Sequence, residues 1–281
     1  MTPRRLRIDH VSRYSYSGVV QSSYNEVRLT PLSTPFQQLL DLRVNVTPQV
    51  PLYTYIDYWG TQVHAFDIHS PHDTMTVAAR SVVEISEINP SDPSVTWDDV
   101  AAHDVADGLG EFLEYTSYVP RDGRLAGIAS SLTRGCSPRE AATAALGWVG
   151  AELTYQAGAT GVHTSGVEAW EGGVGVCQDF AHLSLCLLRA MRIPARYCSG
   201  YVYPDEEVTV GAAVTAESHA WVEYWVGDWV AVDPTAGSSV SNRHVLVARG
   251  RDYSDVAPVK GIFNGGPTSG MQVEVQLTPL A

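Results

Sequence analysis

The chain has 281 residues, 44% of them hydrophobic and 17% charged, with a formal net charge of -13. This size and balance exclude a largely disordered chain and allow one large domain or two smaller ones. The acidic charge argues against a nucleic-acid partner, and no run of 18 apolar residues marks a membrane span.

From Leu6 to about Ile88 the pattern is that of strands. Short alternating runs such as "LRVNVT" and "TVAARSVVEI" are punctuated by Pro31, Pro35, Pro48, Pro51 and Pro71. Residues 1–92 are therefore expected to form an N-terminal antiparallel β-domain, closing at a break near "NPSDPS" (Asn89 to Ser94). Within it, His64, His69 and His72 stand close in sequence, but no cysteine-rich or carboxylate-rich segment accompanies them. Surface or turn histidines are expected there, and no metal. The basic N-terminus lacks the apolar stretch of a secretory signal, so a cytoplasmic protein is expected.

Residues 93–281 change period and are expected to form a second domain, an α+β unit. Thr96 stands three residues before Asp99. Ser137, Pro138 and Glu140 occupy the cap, first and third positions of a helix start. Next comes "EGGVGVCQDFAHLSLCLLRAM", in which Phe180, Leu183, Leu187 and Met191 recur at helical spacing with apolar flanks, the mark of a buried helix. Cys177 opens that helix. There the unpaired N–H groups and the helix dipole favour a thiolate, although a cysteine in such a run can equally be a packed core thiol. Gly172, Gly173 and Gly175 permit sharp turns and close approach of another backbone, such as a substrate peptide. His182 lies five residues further on, rotated about 140° from Cys177, and is expected to pack in the core.

A nucleophile needs a base. In "SHAWVEYWVGDWVAVDPT" a hairpin with its loop at Trp225, Val226 and Gly227 sets Tyr224 opposite Asp228 and Trp221 opposite Ala231. It thereby sets His219 opposite Asp233 on one sheet face. Asp233 then fixes the imidazole tautomer and leaves the other ring nitrogen for Cys177. Trp221 and Trp229 are expected near His219. The C-terminal "MQVEVQLTP" reads as one more strand of this unit. Cys136, Cys177, Cys186 and Cys198 show no CxxC pair and no framework spacing, which fits reduced thiols.

Three blocks, "GGVGVCQDFAHLSLCLLRAMRIPARYCSGY", "ESHAWVEYWVGDWVAVDPTAG" and "VARGRDYSDVAPVKG", resemble the bacterial transglutaminase-like family, a branch of the papain-like cysteine enzymes. "DYWGTQVHAFDI" is similar to that family's leading domain. The resemblance implies a papain-like core in which the cysteine helix packs on an antiparallel sheet, with Cys177 as nucleophile, His219 as base and Asp233 as orienting carboxylate. No cofactor is expected. The expected chemistry is a thioester formed at Cys177 from a peptide or carboxamide and released by water or by an amine. Peptidase or amidase, amine-dependent crosslinking transglutaminase, and a non-catalytic binding module on the same fold are the alternatives. The backbone N–H of Cys177 is the first oxyanion donor, with Trp148, Trp170 and Gln178 as candidates for a second. No DxDxDG loop supports calcium activation. Lys260, the sole lysine, limits lysine-mediated self-crosslinking to one site per chain. The "GRDYSDVAP" segment is expected to support the sheet.

Overall fold

The computed structural model describes residues 3–87, 94–204, 209–266 and 268–280; most of the expected break at Asn89 to Ser94 lies outside them. Strands β1 (Arg4–Val20), β2 (Ser22–Val27), β3 (Gln37–Thr47), β4 (Tyr53–Ile56), β5 (Gln62–Ile68) and β6 (His72–Ile85) come first. Helices α1 (Trp97–Val100), α2 (His103–Leu109), α3 (Gly123–Leu132) and α4 (Pro138–Glu152) follow. Next are β7 (Thr154–Tyr155), α5 (Gly166–Gly172), β8 (Val174–Gly175) and α6 (Cys177–Ala190). Strands β9 (Ala195–Val202), β10 (Val214–Ala216), β11 (Ser218–Trp225), β12 (Trp229–Asp233), β13 (Ser238–Ser239) and β14 (His244–Gly250) come next. Helix α7 (Tyr253–Val256), β15 (Val259–Asn264) and β16 (Thr268–Pro279) close the chain.

The helix starts carry their signals locally. Thr96 with Asp99 and Ser137 with Glu140 both form capping boxes, and Pro138 takes the first turn of α4. Two further helices, α3 behind the Asp122 cap and α5 behind the Ser165 and Glu168 box, were not signalled by periodicity, because each is short.

The sheets do not respect the sequence boundary between the two expected domains. Strand β16 pairs antiparallel with β1 along most of its length, and β15 pairs with β2. The C-terminal strands therefore complete the two sheets ordered β10-β16-β1-β6-β3 and β15-β2-β5-β4. These two sheets enclose a core of Val20, Val27, Phe66, Ile68 and Val77. The other end of the first sheet contributes Leu6, Ile8, Val83 and Leu277 to the main core, where they join α4, α6 and the sheet β13-β12-β11-β9-β14. Strand β10, just upstream of His219, pairs with β16 and ties the chain leading into the site to the N-terminal sheet.

Helix α6 is buried from Asp179 to Arg189 and packs on β9 and β11 through residues such as Leu183, Leu187 and Val222. An apolar helix covering one face of an antiparallel sheet is the arrangement expected for a papain-like core.

Candidate active site

Cys177 is the first residue of α6, at the end where a helix leaves its N–H groups without intrahelical acceptors. The turn is locked from inside: Asp179 accepts the Val176 N–H at 2.8 Å and the Thr160 hydroxyl at 2.5 Å. Gly175 is required by that carboxylate. A Cβ there would meet the Asp179 Cβ at 2.7 Å, so the close approach expected for a substrate backbone is made instead by the protein's own side chain. Gly173, at φ 68°, ends α5 in the left-handed region.

The hairpin places His219 and Asp233 together in a register shifted from the expected one. Its loop is Val226, Gly227 and Asp228, and Trp225 pairs with Trp229, Tyr224 with Val230 and Val222 with Val232. Gly227 takes φ 83°, and Asp228 Oδ1 accepts the Trp229 N–H at 2.8 Å, which holds Asp228 in the turn. Continuing this register sets Asp233 level with Trp221, two residues short of His219. A two-residue offset preserves parity, so both side chains stay on one face. His219 Nε2 reaches Asp233 Oδ2 at 2.7 Å.

Cys177 lines the same cleft as His219 and acts electrostatically on its ring. With Nε2 turned to Asp233, Nδ1 is the nitrogen left for the thiol. Burial disfavours a charged imidazole, but the Asp233 carboxylate and the Cys177 sulfur outweigh it, and the His219 pKa is pushed up to about 9. Burial would raise the Asp233 carboxyl. The bonds from His219 and His244 instead hold it well below the usual carboxylate range.

His244 carries no signal in the sequence. Its Nε2 lies 3.4 Å from Asp233 Oδ2, while its Nδ1 accepts the Ser241 N–H at 3.2 Å. The latter bond assigns the proton to Nε2, which donates to the carboxylate. Asp233 Oδ1 accepts the N–H groups of Thr235 and Ala236 at 3.0 and 3.2 Å. Four donors thus converge on one carboxylate that is 2% exposed.

The donor atoms of His219, Asp233 and His244 lie within 4.8 Å of one another, close enough to suggest a metal site. The hydrogen bonding does not fit one. A metal on His244 Nε2 would move the proton to Nδ1, against the Ser241 N–H, and both histidines already spend their Nε2 atoms on Asp233. His64 and His72 are buried instead of lying on the surface. His64 bonds to Thr30 and Thr54, and His72 to the Ser70 carbonyl.

Cys177 and His219 open into a cleft of about 730 Å³. One wall comes from the N-terminal sheets, with Tyr14, Tyr16 and Met75; another comes from β15 with Val259 and Phe263. Gln178 lines the cleft, but its side-chain amide donates to the Val162 carbonyl at 3.1 Å. Trp148 and Trp170 do not line it: they pack against each other, and Trp170 Nε1 donates to Glu152. Trp221 is buried, stacked against His219 with centroids 6.3 Å apart and edge-on to His244. Trp229 lies away from His219, under the Arg196 guanidinium and against Phe112.

The "GRDYSDVAP" segment is gripped by α6 from below. Arg189, 1% exposed, donates to the carbonyls of Glu114, Ala195 and Arg251, and His182 Nε2 accepts the Tyr253 N–H at 3.2 Å. His182 sits between the rings of Tyr118 and Tyr197, where burial drives its pKa down to about 3. Its Nδ1 is buried with no partner among the described residues, so this core histidine is half satisfied by them. The segment supports the sheet and also lines the cleft, through Tyr253.

All four cysteines are free. Burial pushes the Cys186 thiol up to about 12 and raises Cys198 as well, which disfavours the thiolate in both.

An apolar helix headed by a cysteine, laid on an antiparallel sheet that presents a histidine beside it, defines the papain-like class of fold. Residues 6–84 match the bacterial transglutaminase-like N-terminal region, and residues 126–234 match the transglutaminase-like superfamily. An uncharacterised protein of Mycobacterium leprae is 43% identical over 277 residues, 99% of each chain. One of Mycobacterium tuberculosis is 28% identical over 309 residues, covering 98% of this chain and 93% of its own. Among solved structures, one described as a candidate cysteine protease from Cytophaga hutchinsonii superposes with a TM-score of 0.81 at 24% identity, covering 100% of this chain and 92% of that one. The chain belongs to the bacterial transglutaminase-like family.

Proposed function

We propose that the protein is a cysteine acyl-transfer enzyme that cleaves peptide or carboxamide bonds through a thioester at Cys177. The observation that supports this reading is that His219, hydrogen-bonded to Asp233 at 2.7 Å, lines one cleft with Cys177, the first residue of α6. With His219 as imidazolium, Cys177 attacks as thiolate. The new S–C bond forms as the C–N bond breaks, and the departing nitrogen takes its proton from His219. Water then gives a proton to His219 and its oxygen to the acyl carbon, and the thiolate leaves. The Cys177 N–H faces the developing oxyanion, a donor typically worth roughly 3 kcal/mol of barrier. An amine in place of water would make the same site a crosslinking transglutaminase, and the four free thiols accord with a reducing cytoplasm.

The test is mass spectrometry of the protein with an amide-bearing peptide library, with and without a primary amine, and with Cys177→Ala as control. New carboxylates or cleaved peptides that depend on Cys177 are expected. Cys177-dependent amine adducts would make amine transfer the reaction. Turnover retained by Cys177→Ala would overturn the scheme, and a protein with no turnover and no preferential alkylation of Cys177 would be a binding module.

A further inference from the structure

The walls of the cleft have an uneven chemistry. Tyr14, Tyr16, Tyr155, Tyr197 and Tyr253 all line it, and no lysine or arginine does, although the chain carries 18 such cations. Among the described residues its single lining carboxylate is Glu217. This side chain is exposed and forms no salt bridge with a described residue. Glu217 stands two residues before His219, in the short connection between β10 and β11. Glu217, Cys177 and Tyr155 line the cleft together, and the first two act electrostatically on the Tyr155 hydroxyl.

Tyrosine faces attract cations through their ring quadrupole, and an unpaired carboxylate beside them adds a charge of the matching sign. With no lysine or arginine on the lining to oppose it, Glu217 gives the cleft an acidic side beside His219. His219 protonates the departing nitrogen, so the leaving part of a substrate lies toward His219, the end that Glu217 flanks.

We infer that the cleft selects substrates bearing a cationic group, an alkylammonium or guanidinium such as a lysine or arginine side chain, on the leaving side of the reacting carbonyl, and that Glu217 receives that charge. The leaving-side placement rests on the acyl-transfer reading above; the cation site does not.

Two measurements separate them. In the first, peptides with lysine or norleucine, and arginine or citrulline, directly after the reacting carbonyl are compared for kcat/KM in the native protein, Glu217→Gln and Glu217→Lys. A preference of roughly fivefold for the cationic member is expected, weakening with salt. It should fall to about unity in Glu217→Gln and reverse in Glu217→Lys. In the second, Cys177 is labelled by cationic and neutral methanethiosulfonates of similar size, which requires only a reachable thiol. The cationic-to-neutral rate ratio should drop in Glu217→Gln. Turnover without a cation preference, or a preference and labelling ratio unchanged in both variants, would overturn the inference while leaving the acyl-transfer reading standing. A Glu217-dependent labelling ratio in a protein that turns over no peptide would support the cation site and remove the acyl-transfer reading.

Discussion

From Asp179 to Arg189 every residue of α6 is buried, and the body of the helix that carries Cys177 is set mainly by apolar packing, with Asp179 locking its first turn. The hairpin that carries His219 and Asp233 is set differently: β12 is only partly buried before Asp233, and what fixes the pair is a knot of four hydrogen bonds on one carboxylate. Packing is summed over many weak contacts and degrades gradually, whereas a buried polar knot fails when one member loses its partner. The apolar body of α6 should therefore tolerate substitutions that the base's placement does not.

Asp233→Asn tests the polar half and carries the largest expected effect. The substitution keeps the shape but removes the charge that holds His219 as imidazolium with Nε2 inward. A loss of roughly 10⁴ in kcat/KM is expected, by the logic of an orienting carboxylate in a catalytic triad. Activity within tenfold of the native protein would mean that Asp233 does not orient the base.

Leu183→Ala tests the apolar half. Leu183 is fully buried in the main core, so about 2–5 kcal/mol of stability should be lost in urea unfolding. At temperatures where the variant stays folded, the pH profile of Cys177 alkylation should match the native one. A displaced profile would show that the helix start depends on packing a turn and a half away.

The same contrast decides what the sequence reveals. Helix α6 and the capping boxes at Thr96 and Ser137 are legible because their signals lie within one turn or one period. The face shared by His219 and Asp233 is legible because parity survives a two-residue slip, but the register is not. Whether Trp225 or Asp228 enters the turn depends on the Trp225 and Trp229 pairing and on the Asp228 hydrogen bond. His244 reaches Asp233 only because β14 pairs with β9 across the sheet, and β16 returns to β1 from the far end of the chain. Neither association leaves a local mark, so the second histidine and the shared walls of the cleft emerge only in three dimensions.

A pH titration probes the polar knot without substitution. The folded His219 pKa of about 9 lies above the ordinary value of 6.5. The stabilisation from its pairing is thus fully present below pH about 6.5 and is lost as pH rises through about 9. The Asp233 carboxyl is shifted downward, so its contribution is present above its ordinary value and is lost only as pH falls through its depressed one. Urea midpoints should decline between pH 6.5 and 9, with a shallower decline in Cys177→Ala, which lacks one of the two partners that raise His219. An equal decline in both would remove Cys177 from the pairing.

The smallest expected effect belongs to His244. Its bond to Asp233 is long and its donor is neutral, so His244→Phe should cost about 1 kcal/mol of stability and a few-fold in kcat/KM. The informative readout is the His219 pKa by NMR. Both histidines donate to the same oxygen, Asp233 Oδ2. Removing the His244 donor leaves that oxygen richer in charge for His219 alone, and the His219 pKa should rise. A structural role confined to packing against Trp221 predicts no upward shift, since phenylalanine preserves the ring contact. A fall would mean that His244 supports the pair by holding Asp233 in place, with its competition for the oxygen the lesser effect.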